Sequence, residues 1–306
     1  MKQIIHNKKV QGILLFGGVF LLLDYSAGHL LDWLYKNSKS GVAYQENYTF
    51  NKTNQDILIF GSSRAAFHFK ADLIEQNTGF STYNAGREGV GIYYHYALLL
   101  ATLNRYTPKT IVLDLDFRDV YDRGGSFSEE VFLDLAPFYQ HITPEFDNYI
   151  TRKWYDAIRY QSGLFRYNKK FFNILTANII DKSDIHKGYR PLTGVWDGKE
   201  KVLKDDNFKV SAKHINTINM FIEKAFSNKI KLIVCVSPTL KKIPSEFFNF
   251  VNQLKSNKRL LVLDVSNDTQ FTNEKAFFYD TEHLNDTGAT AFSNYISTRI
   301  KEFVKE

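Results

Sequence analysis

Ser62 and Ser63 close the stretch ILIFGSSR at residues 57–64, where four apolar residues stop at a glycine and two hydroxyls. A serine hydroxyl is a weak nucleophile unless a base takes its proton. The stretch therefore asks for a histidine. Of the eight histidines in the chain, only His283 has an aspartate three residues before it, Asp280, in FYDTEHLNDTGATAFS. A carboxylate beside an imidazole orients the ring and stabilises its charged form, so serine, histidine and aspartate together suit acyl transfer. A D-x-x-H pair alone arises easily by chance. Its place, after the last strand-like run and before a final amphipathic segment, is the more specific signal.

The elements that must position these groups follow from the apolar pattern. Strands are expected at Ile57–Phe60, Ser81–Asn84, Thr110–Leu115, Lys231–Val236 and Leu260–Val265, most of them continuous β-branched or leucine runs suited to burial on both faces. Helical periodicity lies between them, at Lys70–Gln76, Tyr93–Asn104, Ser211–Ser227, Ser245–Lys255 and Ala289–Val304. The alternation predicts an α/β fold with a doubly wound, flavodoxin-like parallel sheet of about five strands. Residues 120–210 break the rhythm and read as a helical insertion after the third strand, a cap over the sheet edge. In such sheets ligands bind beyond the carboxyl ends of the strands, where Ser62 and Ser63 fall.

GSSR after the first strand, NAGREGVG after the second and DTEHLN before the last helix resemble the GDSL/SGNH hydrolase superfamily. They are similar in particular to its membrane-anchored bacterial envelope branch, near the proteins of D-alanyl-lipoteichoic acid transfer and alginate acetylation. The resemblance covers residues 55–119 and 211–304. It implies that Ser63 is the nucleophile, His283 its base and Asp280 the partner of the histidine. It also implies an oxyanion hole of the Ser63 and Gly86 backbone N–H groups. The third block departs from the family pattern. Where a glycine-x-asparagine-aspartate is expected the chain reads IVLDLDFRDV, with Arg118 in place of the asparagine and Asp119 after it. Arg118 could donate to an oxyanion, bind an anionic group, or serve only as a salt bridge.

Other candidates carry blander readings beside the sharp ones. Arg64 and Arg87 flank the expected site and could hold an anionic substrate, although loop arginines more often brace carboxylates. Asp114 and Asp116 read as solvated strand-end carboxylates, and His68 and His95 as packing or surface residues. GREGVG lacks the G-x-G-x-x-G spacing of a dinucleotide loop. The single cysteine, Cys235, precludes an intrachain disulfide and any cysteine-based zinc site, and no histidine spacing suggests a metal. No cofactor is expected. Net charge is +6, but the basic residues are scattered and no nucleic-acid motif accompanies them.

The N-terminus reads as an address. Lys2, Lys8 and Lys9 precede Val10–Leu23, fourteen residues without a charge, and apolar character resumes after Asp24 with Trp33 and Tyr35 placed like interfacial rings. A transmembrane anchor, a cleaved signal peptide and a buried helix all fit. The expected organisation is a cytoplasmic N-terminus at 1–9, an anchor and interfacial segment at 10–35, a linker at 36–54 and an SGNH-like domain at 55–306. The lysines place the N-terminus inside and the domain outside the bacterial cytoplasmic membrane. The function expected is serine-dependent acyl transfer or ester hydrolysis on an envelope glycan, with a membrane-bound O-acyltransferase as the partner the resemblance implies. The alternative is a non-catalytic scaffold of the same fold that binds a glycan or such a partner.

Overall fold

The alternating runs resolve, in a computed structural model that describes residues 8–121, 133–141, 154–179, 186–199 and 209–305, into parallel strands joined by helices. In chain order the elements are α1 (Lys8–Lys36), α2 (Gly41–Asn51), β1 (Ile57–Gly61), α3 (Ser63–His68), α4 (Ala71–Thr78), β2 (Thr82–Asn84) and α5 (Ile92–Leu103). There follow β3 (Thr110–Asp114), α6 (Trp154–Arg159), α7 (Gly163–Tyr167), α8 (Phe171–Ile179), α9 (Ala212–Ser227) and β4 (Lys231–Val236). The chain closes with α10 (Ser245–Lys255), β5 (Leu261–Asp264), α11 (Thr269–Thr272) and α12 (Asp286–Lys305). Each expected strand is present within a residue or two of its expected ends.

The five strands pair in the order β2-β1-β3-β4-β5, all parallel, which is the flavodoxin-like order. Connections from β1 run both ways across the sheet, so a crevice opens beyond the carboxyl ends of β1 and β3. Gly61 pairs with Asp114, and Asp114 with Cys235, so three strand ends lie level at that edge. Alternate residues feed two cores. Ile57, Ile59, Val112 and Ile233 join Ile74, Phe292 and Ile296 on one face. Phe60 meets Phe221 of α9 edge to face on the other. α4 packs on α12 and α5 on α9, so each face has its helix layer.

His95 on α5 is fully buried, and burial alone pushes its imidazole down to about 3 from 6.5. A histidine depressed in the folded state contributes stability above pH 6.5 that is lost as pH falls toward 3. Each pH unit inside that window removes about 1.4 kcal/mol. Urea unfolding at about pH 5 should therefore show about 2 kcal/mol less stability than at neutral pH from this group alone. His95→Leu should flatten the profile by that amount. An unchanged profile would mean that His95 takes up its proton in the fold.

The chain divides into two compact units, residues 1–47 with 132–182 and residues 48–131 with 183–306. The insertion expected at 120–210 is therefore not one piece. Its central part belongs with the N-terminal helix, and residues 186–199 belong with the sheet. The expected linker at 36–54 contains the helix α2, where QENYTF supplies helical residues without a Gly or Pro break.

In the first unit, Asp24 breaks the apolar run of α1 and its carboxylate is fully used. It accepts from Ser162 Oγ at 2.7 Å, Gly163 N at 3.1 Å and Leu164 N at 3.0 Å. Those donors form the first turn of α7, so Asp24 caps a helix from another helix. Gly28 and Gly163 permit the approach, because a Cβ on Gly28 would lie 2.6 Å from Gly163 Cα. Tyr167 Oη donates to Asp32 at 2.6 Å, and Tyr35 is packed between Phe138 and Tyr167.

Candidate active site

The site lies wholly in the second unit, at the crevice end of β1. Gly61 ends that strand with φ +152°, and a Cβ there would lie 2.6 Å from Ala65 Cβ and 2.9 Å from the Asp114 carbonyl oxygen. Only glycine allows the strand to turn so sharply into α3. Ser63 is the first residue of that helix, partly exposed at the turn. Its N–H belongs to a first turn that has no acceptor of its own within the helix.

Ser63 and His283 are 220 positions apart in sequence, yet Ser63 Oγ lies 2.8 Å from His283 Nε2. His283 Nδ1 lies 3.0 Å from both carboxylate oxygens of Asp280. Asp280 Oδ1 also accepts from the backbone N–H of Glu282 at 2.7 Å and of His283 at 2.8 Å, so its own loop fixes it. Burial would raise the Asp280 carboxyl, but the hydrogen bond and charge of His283 hold it below its ordinary range. It stays ionised, Nδ1 keeps its proton, and Nε2 is left as the acceptor for the Ser63 hydroxyl.

A buried polar chain positions this loop, and its members carry no local motif. Leu284 N, the residue after His283, donates to His68 Nε2 at 3.0 Å. His68 must then carry its proton on Nδ1, which lies 3.0 Å from Ser237 Oγ, and that hydroxyl donates to Asp114 Oδ2 at 3.0 Å. Burial, followed by the charges of His283 and Arg64, holds His68 well below its ordinary pKa, so the ring stays neutral and keeps accepting. Burial pushes Asp114 up to about 6 against the pull of Arg64 and Ser237.

Of the two readings of Arg64, the structure shows the bracing of carboxylates and not a side chain facing the crevice. It is 2 % exposed and points inward, with Nε 3.3 Å from Asp116 Oδ2, Nη2 2.5 Å from the Leu115 carbonyl and Nη1 3.4 Å from that of Ser237. Asp114 and Asp116, expected as solvated strand ends, are buried with it. Burial would raise Asp116, but Arg118 and Arg64 hold it well below the usual range. Asp119 is pushed up to about 7 by burial and by Asp116. Arg87 stacks its guanidinium over Tyr94 at 5.3 Å.

Of the expected oxyanion donors, Gly86 and Arg118 have protein acceptors. Gly86 lies against α3, since a Cβ there would meet Ala66 N at 2.5 Å, but its N–H donates to Asn84 Oδ1 at 2.9 Å. Asn84 spends its amide on the carbonyls of Ala65 and Phe69, at 2.7 and 2.8 Å. Gly86 thus serves close packing, with its amide already engaged. Arg118 is clasped by two carboxylates. Nε and Nη2 meet Asp116 at 2.7 and 2.5 Å, and Nη2 meets Glu282 Oε2 at 2.9 Å. Since those donors are taken, Arg118→Ala should lower turnover of an ester substrate by less than about tenfold. A fall of about two to three orders of magnitude would identify it as an oxyanion donor.

No family model matches the chain, and no curated protein matches it. Solved structures do. One is described as an inferred acylhydrolase from Bacteroides fragilis, with 12% identity, TM-score 0.43, and 83% of this chain and 90% of that chain covered. A second is described as an inferred lipolytic protein of the G-D-S-L family from Desulfitobacterium hafniense, with 14% identity, TM-score 0.42, and coverage of 80% and 99%. A third is described as an inferred platelet activating factor from Streptococcus pneumonia, with 10% identity, TM-score 0.43, and coverage of 95% and 98%.

Proposed function

We propose that the protein is a serine-dependent acyl-transfer or ester-hydrolysing enzyme of the bacterial cell envelope, tethered by α1 and acting on an envelope glycan. The observation that carries this reading is the Ser63–His283–Asp280 chain of hydrogen bonds. As Ser63 Oγ attacks an acyl carbonyl, His283 Nε2 takes its proton, and Asp280 stabilises the imidazolium. The tetrahedral oxyanion forms beside the Ser63 N–H. When the leaving oxygen departs, His283 returns the proton to it. A water or a glycan hydroxyl, deprotonated by the same nitrogen, then attacks the acyl-serine, and as the Ser63 Oγ–acyl bond breaks His283 returns that proton to Ser63 Oγ.

Among the described residues α1 is the one helix long and apolar enough to cross a membrane. As an anchor with Lys2, Lys8 and Lys9 inside, it would hold the second unit outside the cytoplasm. A tether raises the effective concentration of the site near envelope polymers or a membrane-bound O-acyltransferase partner. The resemblance of the GSSR, NAGREGVG and DTEHLN blocks supports this substrate class.

A second reading is favoured by the engaged Gly86 amide and the clasped Arg118, which leave the oxyanion position poorly supplied with donors. On that reading the fold is a glycan- or partner-binding scaffold. Treating the full chain with a fluorophosphonate separates the two. The enzyme should form a covalent adduct on the peptide containing Ser63, and absence of any adduct would favour the scaffold.

A further inference from the structure

The uncharged run Val10–Leu23 is fourteen residues, about 21 Å of helix. A hydrocarbon core is about 30 Å thick and needs about 20 residues. With Lys8 and Lys9 at the inner surface, the core extends about six residues, roughly 9 Å, past Leu23. That interval holds Asp24 and Gly28, where α7 starts against α1. Before Asp24, no described residue of α1 is buried by protein. From Asp24 onward one side of α1 is covered by the 154–179 segment, while Tyr25, Leu30 and Trp33 on other sides remain exposed.

We infer that the helical segment 154–179 is a second membrane-seated element beside α1, with its Leu164 end in the acyl-chain region of the outer leaflet and α8 at the interface. This rests on the reading of α1 as an anchor. The apolar surface of α1 continues onto the segment through Leu164, 41% exposed, and Phe172, 77% exposed. Beside Leu164 a mainly apolar crevice of about 280 Å³ opens, lined by Leu31, Leu164, Phe165, Tyr167, Asn168 and Phe171. A carboxylate at this depth is costly unless its lone pairs are filled. Asp24 meets the requirement with three donors, and they are the otherwise unpaired groups of the α7 first turn, which lipid could not satisfy.

The register gives a depth order. Leu164 lies level with Asp24, Phe171 with Leu31, and Asn178 with Leu34, to whose carbonyl it donates at 3.1 Å. Leu164 should sit deepest, Phe172 shallower, and Ile179 nearest the surface.

Nitroxide labels on single cysteines test this in the full chain, reconstituted in vesicles of phosphatidylethanolamine and phosphatidylglycerol. Cys235 is fully buried and does not compete for label. The variants are Val19→Cys on α1, Leu164→Cys and Phe172→Cys on the segment, and Asn216→Cys on the exposed side of α9. Collisions with a water-soluble nickel chelate should be lost at 19, strongly reduced at 164, reduced less at 172, and kept at 216. If 19 is protected while 164 and 172 collide freely, the anchor stands and this inference is overturned, leaving the apolar segment to a protein partner. If 19 also collides freely, the anchor reading itself is overturned and the inference with it.

Discussion

Ser63→Ala is expected to abolish fluorophosphonate labelling and to lower turnover by about 10⁴-fold or more, with the urea midpoint nearly unchanged. The asymmetry follows from the geometry. The substitution removes one hydroxyl that is partly exposed and bonded to His283 Nε2 at 2.8 Å, worth about 1 kcal/mol or less to folding. It removes the atom that forms the acyl bond. Ser62→Ala is the control, because Ser62 Oγ is buried and makes no hydrogen bond to His283 or any other described residue. It should keep most activity. In cells, the degree of acylation of the envelope glycan should fall with Ser63→Ala at normal protein levels. Normal acylation under that condition would falsify the catalytic reading and favour the scaffold.

The second large effect is on stability. Arg64→Met should destabilise the fold by about 3–5 kcal/mol, since removing one partner of a buried ion network leaves the others poorly compensated. Arg64 alone joins the carbonyls of Leu115 and Ser237 to the carboxylates at the end of β3. Asp116 would retain Arg118, whereas Asp114 would keep only its Ser237 bonds. The pH dependence carries a signature. Asp114 has its folded pKa raised to about 6 from 3.8 by burial, so its ionisation costs stability as pH rises through about 6. Without Arg64 that cost grows. The difference in urea midpoint between variant and parent should therefore narrow from about pH 8 to about pH 5. His95, shifted by burial alone, cancels in the difference, whereas His68 loses the depressing charge of Arg64 and narrows the gap in the same direction. A gap that stays constant with pH would place the lost energy in packing around the Arg64 stem. A variant as stable as the parent would show that the network contributes nothing net.

The sequence by itself determined what local chemistry can encode. Four largely apolar runs alternating with amphipathic stretches mark the parallel sheet, because strands buried on both faces carry that pattern, while the short second strand, STYN, is marked mainly by its place between helices. Ser63, Asp280 and His283 were legible because each sits in a short block with a recognisable neighbour. Gly61 and Gly86 were visible as glycines, but the reason they must be glycine lies in Ala65 and Ala66, which fold against them.

Only the tertiary structure decided the groups whose partners are distant in the chain. His68 reads as an ordinary helical residue, and its role appears when Leu284, 216 positions away, donates to it. Arg64 looked like a crevice arginine because it follows Ser63, but the direction of α3 turns its side chain under the strand ends, toward Asp116. The Gly86 amide was assigned to an oxyanion by the resemblance; it donates instead to Asn84, two residues earlier, a near bond that no spacing rule announced. Asp24 likewise reads as a cost within an apolar helix, until three donors from residues 162–164 fill its carboxylate. Periodicity records which face of an element is buried. It carries no record of which distant donor completes a buried polar group, because that pairing is fixed by how the elements pack.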